Sequence, residues 1–310
     1  MSLIMQSRCS KGKKLTNETK QKVVMVCDTM NEIDDQFAIA YALGSPKLEV
    51  LAVVSSHNTL VHGHDSVNLY RDEAQRVLNL CQRSDIPCLQ GASRPMERID
   101  EVLPSAGLDF IVDLAKKGES FSIIGTGPAT DLAAFKLGFP ELAKKVPIIW
   151  AGSFPDQATW TKYKYGELNA RADIAAWRVL YQKSENLVVL PGWPGVVKVA
   201  VENGVFIPEL RSKNKAILNF LADILEKWGH GRVKMDMDSN RPTKVLWDIV
   251  NIAFYTIPEA VITRPMPIPE IDAAGSMYWD RPTATIPVCM DVDAVAIMKD
   301  FWAAMERLPK

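Results

Sequence analysis

Four carboxylates and an amide, Asp28, Asn31, Glu32, Asp34 and Asp35, crowd into the eight residues that follow the apolar run Val23-Val24-Met25-Val26-Cys27. Asp34 and Asp35 stand side by side and repel, and a bound divalent cation removes that repulsion outright, so the cluster reads as a metal site rather than a solvated turn. The run from Val23 to Cys27 is short, β-branched and bounded by polar residues, which predicts a buried strand, while Gln36 to Leu43 has the character of a helix. The acids therefore occupy a strand-to-helix turn. In an open α/β sheet such turns lie at the carboxyl edge of the strands, where ligands bind.

The elements that position this turn follow in βα order. Gly44 and Pro46 stop the first helix. Strands are expected over Glu49 to Ser55, Ile86 to Gln90, Phe121 to Gly125, Val146 to Trp150 and Leu187 to Leu190, with helices over Ser66 to Leu80, Gly107 to Lys117, from Leu132 onward and Ala172 to Gln182. Several strands end in polar or glycine-rich turns: Ser56-His57-Asn58-Thr59, Thr126-Gly127-Pro128-Ala129-Thr130-Asp131 and Ala151-Gly152-Ser153. Pro128 prevents helix across the second of these and leaves backbone groups to point elsewhere. Past Trp193 the pattern changes, with helices expected over Asn214 to Trp228, Val245 to Tyr255 and Val292 to Met305, a polar loop over Lys234 to Pro242, and a proline-rich extended stretch from Ile257 to Pro287. The βαβ order implies a parallel sheet. The expectation is one α/β domain over residues 22–310, a largely parallel central sheet flanked by helices and a partly helical carboxyl-terminal third, preceded by a mobile tail over residues 1–21.

Composition narrows the function. The 310 residues are 47% hydrophobic and 24% charged with a formal net charge of −1, which offers no basic field for nucleic acid or anionic membrane and suits a small neutral substrate. Five cysteines, odd in number, far apart and without a Cys-x-x-Cys pair, argue against a disulfide framework and a zinc site and for reduced thiols in the cytoplasm. No stretch is suited to span a bilayer.

With these motifs in order, the chain resembles the nucleoside hydrolase family, in its inosine-uridine-preferring group and relatives. The segment from Asp28 to Ala38 is similar to a longer form of that family's aspartate signature. The shorter form would put Met30 at a ligand position, and methionine is too soft for calcium. The likeness continues through Asn58, the turn from Thr126 to Asp131, Glu167-Leu168-Asn169 and Trp247-Asp248, where many members carry His-Asp. The resemblance implies a calcium ion held by Asp28, Asp35, Asp248 and the backbone carbonyl of Thr126, and Asp34 as the general base that takes a proton from water. It further implies ribose-binding roles for Asn58, Glu167 and Asn169, leaves Asn31 as a further substrate-side residue and Glu32 without a role, and suggests a homo-oligomer, a dimer or tetramer. Asp248 has an alternative as a partner of Arg241 or Lys244, and Asn58 and Asn169 as supports of loop backbone.

Trp247 cannot donate a proton to the leaving base as histidine would. Members of the purine-preferring branch, which share tryptophan here, suggest stacking of the base between indoles, with Trp150 or Trp160 as the second wall. Two rivals stand beside this reading: a histidine-dependent metal hydrolase built on His57, His62, His64 and Asp65, and a nucleoside- or sugar-binding protein without turnover. A third keeps the chemistry and changes the substrate to another ribosyl or glycosyl compound.

Overall fold

The computed structural model describes residues 19–229, 243–280 and 284–310. Residues 1–18, 230–242 and 281–283 lie outside this description, and with them most of the expected tail, Cys9, His230, Arg241 and the expected loop from Lys234 to Pro242.

The first strand, β1 (Gln21–Cys27), is buried on both faces. Its side chains alternate between two cores: Val23, Met25 and Cys27 join one, Val24 and Val26 the other. Only a strand in the middle of a sheet covered on both sides needs such a run, which is why it reads as continuously apolar. Strands β2 (Leu48–Ser55), β3 (Cys88–Gln90), β4 (Ser122–Gly125), β5 (Ile148–Ala151) and β6 (Leu187–Leu190) follow in parallel. A short ribbon pairs β7 (Ala200–Glu202) with β8 (Thr243–Val245). Strand β9 (Val261–Pro267) precedes a small hairpin of β10 (Glu270–Ile271) and β11 (Met277–Tyr278), and β12 (Thr285–Val292) completes the set. The main sheet has the order β3-β2-β1-β4-β5-β6-β12-β9, parallel except for β9, which runs antiparallel to β12 at the edge.

This order fixes the place of the site. Connections run outward from β1 through β2 to β3 and, on the other side, from β4 through β5 to β6, so the direction of winding reverses between β1 and β4. A crevice opens at their carboxyl ends. Asp28 follows β1 and Thr126 follows β4. Gly127 lets the two turns meet: a Cβ there would stand 2.9 Å from the Asp28 backbone nitrogen and 3.1 Å from Ser56 Cβ.

The helix after the acidic turn, α1, runs from Asp34 to Gly44 and so begins two residues earlier than expected, enclosing Asp34 and Asp35 in its first turn. Carboxylates are stabilised there by the positive end of the helix dipole. The expected helix over Ala172 to Gln182 begins at Ile174, because Asp173 leaves helical geometry and caps it, and a separate short helix, Leu168–Ala172, precedes it. The expected helix over Val245 to Tyr255 begins instead at Ile249, since Thr243 to Val245 pair with the ribbon. The proline-rich stretch is extended, as expected, where it forms β9. Among the described residues, no helix is long and apolar enough to cross a membrane.

Candidate active site

A pocket of about 380 Å³ opens at the β1/β4 crevice, within the range of small-molecule sites. Asp28, Asp34, Asp35, Thr126 and Asp248 all line it, as do Asn31, Glu167, Asn169 and Trp247. The sequence-predicted residues thus converge, except Asn58, Trp150 and Trp160.

Asp28 is buried and accepts a hydrogen bond from Asn58 Nδ2 at 2.8 Å. Asn58 is expected to hold a ribose hydroxyl; in the structure it lies outside the pocket lining and its Nδ2 is committed to Asp28. Burial, the largest influence, pushes the Asp28 carboxyl up to about 7, against hydrogen bonds from Asn58 and Asp35 that pull it down. Asp35 accepts from Thr126 Oγ1 at 2.6 Å. Its carboxyl and that of Asp248 are held well above the ordinary range, first by burial and then by the neighbouring aspartates. Asp248 sits at the mouth of the Ile249–Thr256 helix, with the ribbon before it setting its place.

These carboxylates and the Thr126 carbonyl are hard oxygen donors of the kind calcium takes. Among the described residues, no three histidine, cysteine or carboxylate side chains stand together as a group that could hold a metal ion. The fit to calcium therefore rests on the donor chemistry and on buried like charges that a dication would relieve.

Asp34 is held from one segment at both oxygens. Oδ1 accepts from Lys244 Nζ at 3.1 Å and Oδ2 from the Trp247 backbone N–H at 3.1 Å. Lys244 also pairs with Glu32, and Asp34 and Glu32 together hold the lysine's pKa above its ordinary value although burial, the largest single influence, opposes them. Lys244 was considered only as a partner of Asp248; its bonds run to Asp34 and Glu32. The available signal was a lysine beside the apolar Val245-Leu246, which needs an acid close by.

Asn169 Nδ2 donates to the Thr126 carbonyl at 2.8 Å and to the Ala151 carbonyl at 3.0 Å, joining the ends of β4 and β5. Asn31 lines the pocket with a buried Oδ1 that has no hydrogen-bond partner, an acceptor open to a ligand.

The aromatic wall differs from the expected one. Trp150 is fully buried in the core, its indole N–H donating to the Gly127 carbonyl at 2.9 Å, because its strand faces the second core at that position. Trp160 packs against the same core, away from the pocket. Two further indoles line the pocket beside Trp247: Trp228, on the Ala216–Gly229 helix, and Trp193, in the turn after β6. The Trp193 ring centroid lies 5.3 Å from that of Trp247 at 55°, and Tyr163 stacks on the Trp193 ring at 4.4 Å and 5°. The end of β6 was the signal for it, by the rule that located the other turns.

The rival histidine site does not assemble. His57 is buried with Nε2 on Thr130 Oγ1 at 2.8 Å, and His62 Nδ1 bonds the Tyr70 hydroxyl at 2.8 Å.

Glu167 caps the Leu168–Ala172 helix, accepting from the Asn169 and Ala170 backbone N–H groups at 3.1 and 2.7 Å. Burial nevertheless raises its carboxyl to about 7. The folded state thus binds a proton that the unfolded state has already lost between about pH 4.5 and 7, so this group's contribution to stability falls as pH rises through that window. Melting temperatures from pH 5 to 8 should decline less steeply in Glu167→Gln than in the wild type; equal slopes would show that Glu167 does not titrate in this way.

Comparison with known proteins places the chain. The model of the inosine-uridine preferring nucleoside hydrolase family matches residues 23–299. The pyrimidine-specific ribonucleoside hydrolase RihA of Salmonella schwarzengrund is 26% identical over an alignment covering 91% of this chain and 99% of that enzyme. Among solved structures, the purine-preferring ribonucleoside hydrolase of Gardnerella vaginalis superposes with a TM-score of 0.74 at 21% identity, covering 92% of this chain and 98% of that one. The plant nucleoside hydrolase PpNRh1 gives the same TM-score at 18% identity, covering 93% and 99%. With a family match spanning the acidic turn, the sheet and Asp248, the chain belongs to the inosine-uridine preferring nucleoside hydrolase family and is an N-ribosyl hydrolase.

Proposed function

We propose that the protein hydrolyses the N-glycosidic bond of purine ribonucleosides with calcium in the pocket. The observation that carries this reading is the convergence of Asp28, Asp34, Asp35 and Asp248 on one pocket whose wall includes three indoles, Trp193, Trp228 and Trp247. Asp28, Asp35, Asp248 and the Thr126 carbonyl would hold the ion. When bound, calcium would supply Lewis acidity toward water and a fixed charge for the ribose hydroxyls.

The remaining chemistry belongs to the chain. Asp34, fixed at both oxygens, accepts the proton of the water whose oxygen bonds to C1′ as the C1′–N bond breaks. Glu167 and Asn31 offer acceptors to the ribose hydroxyls. The base departs with the bonding electron pair. Trp247 has no proton to give, but its face, with that of Trp193, favours a purine by contact area and attracts the ring more strongly once solvent has protonated it.

Asp34→Asn should retain calcium and lower kcat by about 10²- to 10⁴-fold, the usual worth of a general base, whereas Asp35→Asn should lose the metal. Activity lost on chelation should return with calcium and far less with magnesium, which prefers a smaller octahedral shell. Equal loss of calcium in both variants, with no separate effect on turnover, would refute this division of roles.

The curated relative named above is pyrimidine-specific, so the base is decided by assay. Inosine and guanosine should be cleaved faster than uridine and cytidine. Trp247→Ala should cost far more kcat on inosine than on p-nitrophenyl riboside, whose leaving group needs no proton. Equal losses on both, with a lower melting temperature, would instead assign Trp247 to packing.

A further inference from the structure

We propose that Lys244 is a positioning residue, whose ammonium fixes the Asp34 carboxylate in the orientation from which it takes the proton. The inference rests on the reading of Asp34 just given and extends it to a residue outside the acidic turn.

The geometry is that of a two-point clamp delivered by one segment. Lys244 stands opposite Val201 in the β7–β8 ribbon, and three residues later the Trp247 N–H reaches the other oxygen of Asp34. One contact fixes where the carboxylate sits and the second fixes its rotation. Both side chains of the ion pair are 4% exposed, so bulk water screens their attraction little. Neighbouring aspartates oppose this placement, since Asp28, Asp35 and Asp248 each feel the charge of Asp34. Without the lysine, that repulsion acts on a side chain held by a single backbone N–H. The ammonium is a point charge with three protons, of which Asp34 and Glu32 take two. Glu32 is the more exposed partner, at 30%, and anchors the lysine from the pocket rim.

The test is a double-mutant cycle on the full chain with calcium, using p-nitrophenyl riboside so that base recognition does not enter. Lys244→Met should lower kcat by about a hundredfold, the scale of a misplacement near 1 Å, with KM changed by less than about threefold. In an Asp34→Asn background the same change should lower kcat no further, because the group it positions is gone. Glu32→Gln, which removes one anchor of the lysine but keeps its contact with Asp34, should lower kcat by less than Lys244→Met does. An unchanged kcat in Lys244→Met, an equal fractional loss in both backgrounds, or a larger loss in Glu32→Gln than in Lys244→Met would each overturn the proposal. Should Lys244→Met fail to fold, the cycle is read on folding: Asp34→Asn/Lys244→Met removes both charges and should accumulate as folded protein, and equal failure of single and double variants would contradict the pairing. Wild-type kcat in Asp34→Asn alone would count against the proton-acceptor reading, whereas a slow Asp34→Asn with a normal Lys244→Met would count against the lysine alone.

Discussion

The mutual repulsion of carboxylates buried at one point is the constraint on which the rest of this molecule depends. Asp28, Asp34, Asp35 and Asp248 are each buried, and an isolated ionised carboxylate taken out of water is costly enough to neutralise itself unless something offsets its charge. The fold answers with oriented donors. The first turn of α1 encloses two of the acids, Asn58 and Thr126 donate to Asp28 and Asp35, and Lys244 brings a full positive charge to Asp34. Asp28, Asp35 and Asp248 still have raised pKa values after these contacts. A site in which the fold's own donors do not neutralise the acids is suited to a dication.

The sheet exists to make this concentration of charge geometrically possible. Reversal of the winding between β1 and β4 leaves two adjacent strand ends with no crossing connection, and Gly127 brings their turns within contact. The acids of the first turn then need only one further element, and the β7–β8 ribbon carries it. By pairing Lys244 with Val201 the ribbon places Trp247 and Asp248 against the pocket from the far side. Three distant parts of the sequence thus meet through two strand ends and one two-stranded ribbon.

What was legible in the sequence was local or periodic. The buried strand from Val23, the Ser66–Leu80 helix and the Leu187–Leu190 strand were read at or near their bounds, because each is a continuous apolar run or a clean helical period. Strand-end turns marked most of the pocket for the same reason. The residues that escaped are those whose role depends on which way a side chain points or on a pairing distant in sequence. Trp150 lies at a strand end, yet its face is toward the core, whereas Trp193, in the next turn, faces the pocket. The bond from Asn58 to Asp28 joins residues 30 apart in sequence and is not legible from either turn alone. Lys244 was invisible as a partner of Asp34 because 210 residues separate them, and only the ribbon joins them.

The claim most open to direct test is the proposal that one calcium ion binds among the clustered aspartates and displaces protons from them. Titration calorimetry of the chelated protein with calcium, run near pH 7 in buffers of different ionisation enthalpy, tests it directly. The account predicts one ion per chain, with protons released on binding as the buried carboxyls become ligands, and weaker binding in Asp28→Asn and Asp248→Asn. No saturable calcium binding, or equal binding in those two variants, would contradict it.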